Sequence, residues 1–257
     1  MSVIARGDHM LDTKSLEMRY RPFPVGAIRP AMDETTYADC LEAYPDPELF
    51  EYIADVGHKY SISEKYAERN YHAIINEVGI WREFHRWIKS PEFLEQIFGA
   101  LNERAIDLGY QSPKALKRLG RTIRNWRRGR GQRLPRYTAR FEFSMLPAAR
   151  GFVRPHTDNP EKIVTLVISM LEPHEWNPDY GGGTDILRPL DEKLDFERLN
   201  DRRPGFEEFE TVHTYDFVPN QAVVFAKTYN SWHAVQPMKS SDEKARRRSV
   251  TINIESS

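Results

Sequence analysis

The sequence lacks several features that would point to particular classes of protein. It has a single cysteine, Cys40, so no intrachain disulfide can form and a reducing compartment is the simpler expectation. No apolar run approaches the roughly 20 residues that a membrane-spanning helix needs, and residues 1–14 are polar, unlike a secretory signal. The formal net charge of −1 gives no global attraction to nucleic acid or to a membrane surface. We therefore expect a cytoplasmic protein with neither kind of partner.

What the chain does contain is enough apolar material for a core. Hydrophobic residues make up 40% of its 257 residues and aromatic residues 12%, which argues against disorder. The length suits one domain with a substantial N-terminal part. We expect residues 1–16 to be disordered and 17–257 to form a single domain, mainly helical over 17–135 and β-rich over 136–257. The sequence gives no indication of the oligomeric state.

The first half has helical periodicity between residues 32 and 109. Asp33 is suited to cap one helix, and Ser90 followed by Pro91 is suited to begin another, which we expect to stop at Gly109. Residues 114–136 then carry ten basic side chains and no acidic one. This basic run could bind phosphates or a charged glycan, but a solvated helix face is favoured because charge runs usually have that role.

After Pro135 the period of the pattern changes to two, which is typical of half-buried strands. Residues 137–146 alternate between apolar and polar side chains, and 164–171 is a continuous apolar run expected of a strand buried on both faces. The other expected strands are 184–187, 209–217, 222–226 and 249–254. The fold class is therefore predicted to be α+β, with an N-terminal helical layer packed on one sheet of an antiparallel jelly roll. The charged segment 188–208 is expected to be an insertion near the barrel mouth that could act as a lid.

Two histidines and one aspartate stand out in the β-rich part. His156 and Asp158 are two residues apart, and on a strand such residues point to the same face. With His233 at the end of another strand-like run, they would leave one side of a divalent ion open, as in non-haem Fe(II) oxygenases. A lone His-x-Asp often occurs by chance. The hypothesis of a metal site is strengthened by the position of the three residues among the expected strands. His174 and His213 are interpreted as structural.

The order and spacing of these motifs, from about residue 136 to 255, resemble the 2-oxoglutarate/Fe(II)-dependent oxygenases, in particular their prolyl 4-hydroxylase-like branch. The matching pieces are PHTDNP at 155–160, the apolar strand 164–171, Trp176, GGGT at 181–184, the strand ending at Phe225, SWHAV at 231–235 and RRSVT at 247–251. The resemblance implies a double-stranded β-helix in which His156, Asp158 and His233 are the catalytic metal ligands. It also implies Fe(II), 2-oxoglutarate as cosubstrate, and O2. The glycines at 181–183 are interpreted as a backbone bulge or corner rather than a ligand contact.

The resemblance also requires a cation on the last strand, where it would pair with the distal carboxylate of 2-oxoglutarate. An arginine gives two charge-assisted hydrogen bonds to a carboxylate. Arg247 is preferred to its neighbours Arg246 and Arg248 because it shares strand parity with Ser249 and Thr251, as in the family's Arg-x-Ser pattern.

The second contact to the cosubstrate is less well indicated. Ser169 occupies about the position where the family branch often has a tyrosine, and we expect it to contact the cosubstrate. Arg140 and Ser144 are weaker candidates, for which ordinary surface positions are the favoured interpretation.

The activity implied by the resemblance is hydroxylation of an unactivated C–H bond, with succinate and CO2 as co-products. The expected substrate is a small or sugar-containing molecule, and a prolyl-type protein side chain is the alternative. A catalytically silent jelly roll that only binds a ligand is a further alternative, and the intact set of four side chains argues against it. A zinc hydrolase or isomerase is disfavoured because such sites usually use more imidazoles.

Overall fold

The structure, a computed structural model, describes residues 10–110, 137–196 and 203–256. The whole of the basic run at 114–136 lies outside the described residues. The described helices are α1 (Glu34–Glu42), α2 (Glu68–Glu77), α3 (Gly79–Ile88) and α4 (Pro91–Asn102). No described helix is both long and apolar enough to cross a membrane.

Twelve strands are described, and all of their pairings are antiparallel. They are β1 (Glu17–Arg19), β2 (Val25–Ile28), β3 (Glu51–Ile53), β4 (Lys59–Ile62), β5 (Tyr137–Pro147), β6 (Val153–His156), β7 (Lys162–Ser169), β8 (Thr184–Pro189), β9 (Phe209–Tyr215), β10 (Ala222–Ala226), β11 (His233–Val235) and β12 (Arg246–Ser256). The major sheet has the order β1-β2-β10-β7-β12-β5-β4-β3, and the minor sheet has the order β6-β11-β8-β9. Together with the helices they form the predicted jelly roll of the double-stranded β-helix type.

One face of the major sheet carries the main hydrophobic core. Because side chains alternate along a strand, Phe141 and Phe143 of β5 lie on the same face as Ile252 and Val250, their partners on β12. This face packs against the helical layer: the ring centroid of Phe141 lies 5.1 Å from that of Phe84 in α3. The helices and the barrel thus share one continuous core.

The opposite face of the same two strands is polar. Here Arg140 is paired with Asn253, Glu142 with Thr251 and Ser144 with Ser249. Arg247 of β12, opposite Leu146, continues this row. Burying so many polar groups is costly unless they have partners or bind a ligand. This polar face is where a functional site would be expected.

The N-terminal half differs from its expected helical character. The strands β1 and β2 extend one edge of the major sheet, and β3 and β4 extend the other. These strands are only three or four residues long, too short for a period-two pattern to stand out.

Some individual predictions for the N-terminal half are confirmed and others are wrong. The caps at Asp33 and Ser90 are confirmed, since their side chains accept hydrogen bonds from the N–H groups of Thr36 and Phe93. However, α4 ends at Asn102 rather than at Gly109. The disorder expected up to residue 16 is also wrong for its described part, because Met10, Leu11 and Leu16 are buried in the main core.

The described ends of the 188–208 insertion pack on the outer face of the minor sheet. Leu194 forms a small cluster there with Phe209 of β9, Trp232 and Ala234, and Phe206 packs against this cluster. Trp232 and Ala234 flank His233 in the chain, so they point to the face opposite to that histidine. Residues 197–202 lie outside the described residues. The described ends of the insertion therefore give no support to a lid over the open side of the site.

The packing of the core leads us to expect that substitution of a buried side chain lowers the free energy of unfolding much more than substitution of an exposed one. Phe141→Ala removes a side chain that is 1% exposed and should lower the free energy of unfolding by about 3–5 kcal/mol. Leu190→Ala, at a position that is 68% exposed, should change it by less than about 0.5 kcal/mol. Urea denaturation followed by fluorescence measures both values, and equal effects of the two substitutions would contradict the described packing.

Candidate metal centre

The two histidines of the sequence motif are brought together by strand pairing. His156 is the last residue of β6 and His233 the first of β11, and the register places them directly opposite each other. Their ring centroids are 4.2 Å apart. Asp158 follows β6 in a loop, with a side chain that is 5% exposed. One ligand atom from each of the three residues lies within 4.8 Å of the others.

Two details of the sequence-based geometry are wrong. Asp158 does not share a strand with His156, because β6 ends at the histidine and the loop turns the carboxylate inward. His233 begins a strand instead of ending one. The three residues nevertheless meet, because the pairing of β6 with β11 and the loop together bring the side chains to one point.

Both imidazoles are fixed in one orientation by the backbone. The Nδ1 atom of His156 is 2.8 Å from the carbonyl oxygen of Arg154, and that of His233 is 3.0 Å from the carbonyl oxygen of Ser231. A carbonyl oxygen can only accept a hydrogen bond, so in both rings Nδ1 carries the proton. The lone pairs are therefore on the Nε2 atoms, a tautomer that is typical of histidines that bind metals through Nε2.

The carboxylate of Asp158 is held at both of its oxygen atoms. Lys162 Nζ is 2.5 Å from Oδ1, and Thr165 Oγ1 is 2.7 Å from Oδ2. Thr165 Oγ1 is also 3.2 Å from the side-chain oxygen assigned to Asn253. A hydroxyl has one proton and cannot donate it to both oxygens, and O and N assignments of an amide are interchangeable. We conclude that Asn253 donates its amide N–H to Thr165, which then donates its proton to Asp158.

The protonation states of the three side chains suit a divalent cation. Burial, together with the charge of His233, lowers the pKa of His156 to about 3, and burial also lowers the pKa of His233. Burial opposes ionisation of Asp158, but Lys162 and the two histidines hold the pKa of its carboxyl below the usual range. At neutral pH the site thus offers two neutral imidazoles and one carboxylate, the forms in which these side chains bind metals.

A buried cation lies at the other end of the same polar face. Arg247 is 4% exposed; its Nε donates to the carbonyl oxygen of Gly182 at 2.5 Å, and its guanidinium lies 4.6 Å from the ring centroid of Phe217. Among the residues that the structure describes, no carboxylate pairs with it. Burial lowers the pKa of Arg247 to about 10. A buried charge without a counter-charge is costly, so this pocket is suited to bind an anion.

Its two neighbours on β12 have other partners. Arg248 forms an ion pair of 2.5 Å with Glu175, and Arg246 donates to the backbone carbonyl groups of Glu243 and Ala245. The preference for Arg247, which rested on strand parity, therefore identified the one of these three arginines that is buried without a counter-charge among the described residues.

Ser169, the expected second contact to the cosubstrate, lies on the same polar face as Arg247. Ser169 of β7 and Ser144 of β5 are both paired with Ser249 of β12. All three serines are buried on the polar face, two residues along β12 from Arg247. The surface position expected for Ser144 is therefore wrong. Arg140 forms a 2.6 Å ion pair with Glu255 and is not free to bind an anion in the same way.

The remaining sequence-based assignments concern the other histidines and the glycines. His174 is exposed and His213 is half-buried on β9, and neither belongs to the group formed by the three residues. Gly182 has a φ of +84°, and a Cβ atom there would lie 2.9 Å from Trp176 and 3.4 Å from Arg247 Cδ. This glycine is needed for the close approach of the backbone to the arginine.

Sequence reasoning missed the side chains that surround Asp158. Thr165 is a polar residue within the apolar strand β7, and Asn253 lies between two isoleucines of β12, so both stand out in the sequence as polar residues among apolar ones. Lys162 is four residues after Asp158, across a loop whose path no sequence pattern predicts.

The fold and the site together define a class. A double-stranded β-helix that carries two histidines and one carboxylate, with an open side, is the arrangement of non-haem iron oxygenases. Residues 141–255 match the family model described as the 2OG-Fe(II) oxygenase superfamily. This match confirms the resemblance drawn from the motifs over residues 141–255. Members of that superfamily are non-haem iron enzymes that use Fe(II), 2-oxoglutarate and O2.

Solved structures agree with this assignment at the level of the fold. A prolyl-4-hydroxylase from Pseudomonas putida has a TM-score of 0.50 and 15% identity, with 90% of this chain and 91% of that chain covered. A prolyl 4-hydroxylase from Phytophthora capsici has a TM-score of 0.51 and 15% identity, with 91% and 59% covered. No curated protein matches the chain by sequence.

The hydrogen bond from Thr165 predicts an effect on metal affinity. Thr165→Val preserves the shape of the side chain but removes the donor to Asp158, and should weaken binding of Mn(II) or Co(II) by about 10- to 100-fold, as expected for outer-shell partners of ligands. Calorimetric titration measures the affinity. Thr165→Ser retains the hydroxyl and should stay close to the wild type, and an unchanged affinity of the valine variant would contradict the proposed orientation.

The lowered histidine pKa values predict a pH dependence of stability in metal-free protein. The usual pKa of 6.5 falls to about 3 in folded His156, so protons bind preferentially to the unfolded chain. The stability from the neutral imidazole is thus present above about pH 6.5 and is lost as the pH falls towards 3. Asp158 contributes its own loss only below its usual value of 3.8.

This dependence is measured by urea denaturation with a chelator present, between pH 7 and pH 4. His85 and His213 also have pKa values lowered by burial and contribute to the slope. The informative quantity is therefore the difference from a variant. His156→Asn should have a shallower slope than the wild type, and parallel curves would show that His156 titrates normally.

Proposed function

We propose that the chain hydroxylates an unactivated C–H bond of a small molecule, with succinate and CO2 as co-products. The observation that carries this proposal is the pair formed by the metal-suited triad and the buried Arg247 on one polar face. When bound, Fe(II) together with 2-oxoglutarate supplies the activation of O2 that such an oxidation requires. The protein's own contribution is to bind and orient the reactants and to exclude water.

His156, Asp158 and His233 are proposed as the metal ligands. The fixed Nε2 lone pairs and the two hydrogen bonds at Asp158 orient the three side chains before metal binds. Three protein ligands leave further positions for the cosubstrate and for O2. The neutral imidazoles bind metal without first losing a proton, so binding is expected to persist in mildly acidic solution.

Arg247 is proposed to hold the distal carboxylate of 2-oxoglutarate. Its guanidinium is planar and remains charged at neutral pH, and an oxyanion would supply the counter-charge that it lacks among the described residues. Ser169 is proposed as a second contact, since its hydroxyl is buried on the same face, opposite Ser249. The position of Phe217 against the guanidinium limits the rotamers of Arg247 and so helps to orient it.

A prolyl-type protein hydroxylase is the second candidate. It is favoured by the names of the two solved structures above, but at 15% identity these establish the fold alone. A small molecule is preferred here because several charged side chains lie on the polar face that also carries Thr165 and Asn253. Lys162, Lys59, Glu142 and Arg140 are all less than one-third exposed in their side chains.

The proposal predicts a spectroscopic signature. Anaerobic addition of Fe(II) and 2-oxoglutarate should produce a weak visible charge-transfer band that His156→Ala and His233→Ala abolish. His174→Ala, at an exposed histidine outside the triad, is the matched control and should retain the band. A silent jelly roll would give no band and no succinate, which would refute the proposed function.

The same band measures the affinity for the cosubstrate. Arg247→Gln removes a charged hydrogen-bond donor worth about 1.5–3 kcal/mol and should weaken 2-oxoglutarate binding roughly 10- to 150-fold. Arg246→Gln, on the neighbouring arginine that donates to loop carbonyl groups, should change it little. Equal effects of the two substitutions would contradict the role proposed for Arg247.

A further inference from the structure

Two lysines lie beside the triad without enough acidic partners to balance them. Resting on the proposed function, we propose that the substrate is a small oxyanion, a carboxylate or a phosphate ester, whose charge is received by Lys227 together with Lys162. The inference concerns the class of substrate and goes beyond the hydroxylation chemistry itself. It follows from the position of each lysine and from the charges that surround them.

Lys162 is in direct contact with the metal-suited group. Its Nζ lies 2.5 Å from Asp158 Oδ1, and its side chain is 17% exposed. The opposite strand places Glu255 next to it in register, but that carboxylate is engaged by Arg140 at 2.6 Å. Asp158 is thus the one carboxylate within salt-bridge distance of Lys162 among the described residues.

Lys227 approaches the triad from the neighbouring strand. It follows β10, and its backbone N–H donates to the carbonyl oxygen of Ile163 at 2.9 Å, so the pairing of β10 with β7 continues to this residue. Strand parity puts its side chain on the face of Phe225, whose ring centroid is 4.4 Å from that of His233. Lys227 Nζ donates to the carbonyl oxygen of Thr228, and no described carboxylate is within salt-bridge distance of it.

The electrostatic behaviour of the group agrees with this placement. Burial lowers the pKa of Lys227, the carboxylate of Asp158 opposes this shift, and the charge of Lys162 adds to it. The two ammonium groups therefore act on each other and on the same carboxylate. Both also contribute to the lowered pKa of His233.

The balance of charges in the site indicates the sign of the charge that the substrate carries. In the loaded site, the two positive charges of Fe(II) and the one of Arg247 are matched by Asp158 and by the two carboxylates of 2-oxoglutarate. The other charged residues of the polar face form two ion pairs, Lys59 with Glu142 and Arg140 with Glu255, and cancel. Lys162 and Lys227 remain, so the loaded site carries about two uncompensated positive charges on partly buried side chains, which favours an anion.

This inference separates the candidate substrates. A neutral sugar or a prolyl side chain would leave the net positive charge of the loaded site unmatched. A substrate with a carboxylate or a phosphate would neutralise this charge and would be held beside the triad. Positioning of this kind raises the effective concentration of the reacting C–H bond.

The experiment uses the enzyme loaded with Fe(II) and 2-oxoglutarate and compares matched compounds. The panel consists of amino acids with their carboxamides, and of sugar phosphates with the parent sugars, and the readout is substrate-stimulated succinate release. We expect stimulation by anionic members and at least tenfold less by their neutral counterparts. The amino-acid and sugar arms distinguish a carboxylate from a phosphate.

Variants then test the lysine directly. Lys227→Gln should raise the KM for the stimulating anion at least tenfold with a smaller change in kcat, and Lys227→Arg should restore part of the affinity. Lys244→Gln, at an exposed lysine on a distant turn, is the matched control. Thermal unfolding of each variant shows whether the fold is retained.

Binding of inorganic phosphate and acetate to the anaerobic Fe(II)–2-oxoglutarate complex gives a readout that needs no turnover. The wild type should bind at least one of them more tightly than Lys227→Gln does. Stimulation by neutral compounds in preference to anions, or equal anion binding by the folded glutamine variant, would overturn the inference. If the complex itself does not form, the proposed function fails instead, so the two failures are distinguishable.

Discussion

The pairing of β6 with β11 is the constraint on which the candidate site depends. It sets His156 directly opposite His233. The backbone carbonyl groups two residues before each histidine, those of Arg154 and Ser231, fix both ring tautomers. A shift of one residue would turn one imidazole to the opposite face of the minor sheet. Asp158 is then brought in by the loop and held by Lys162 and Thr165. The site is thus oriented by backbone register and by buried hydrogen bonds.

One face of the major sheet forms the main hydrophobic core, and the opposite face carries polar residues of the candidate site. One face is aromatic and aliphatic and packs on the helical layer, where Trp81, Phe84 and Phe141 are fully buried. The other face carries paired charges, three adjoining serines and the buried arginine. Because alternate residues of β5, β7 and β12 serve the two faces, each strand contributes to both.

Much of this arrangement could be predicted from the sequence. The alternation along β5 and the apolar run of β7 identified the barrel, and the parity of Arg247 with Ser249 distinguished the buried arginine from its neighbours. The expected helical character of the N-terminal half was incomplete, since β1 to β4 are too short to leave a periodic signal. The contact of Lys162 with Asp158 depends on a loop, and the position of Lys227 on the face of Phe225 depends on strand pairing; local patterns encode neither. The cytoplasmic location stays a prediction.

The central claim is that two imidazoles and one carboxylate of this chain bind one Fe(II). X-ray absorption spectroscopy at the iron edge of the loaded protein tests it most directly. The account predicts a first shell of nitrogen and oxygen only, with the multiple-scattering signal of two imidazoles, reduced to one in His233→Ala. A sulfur ligand, three or more imidazoles, or a spectrum unchanged in that variant would contradict it.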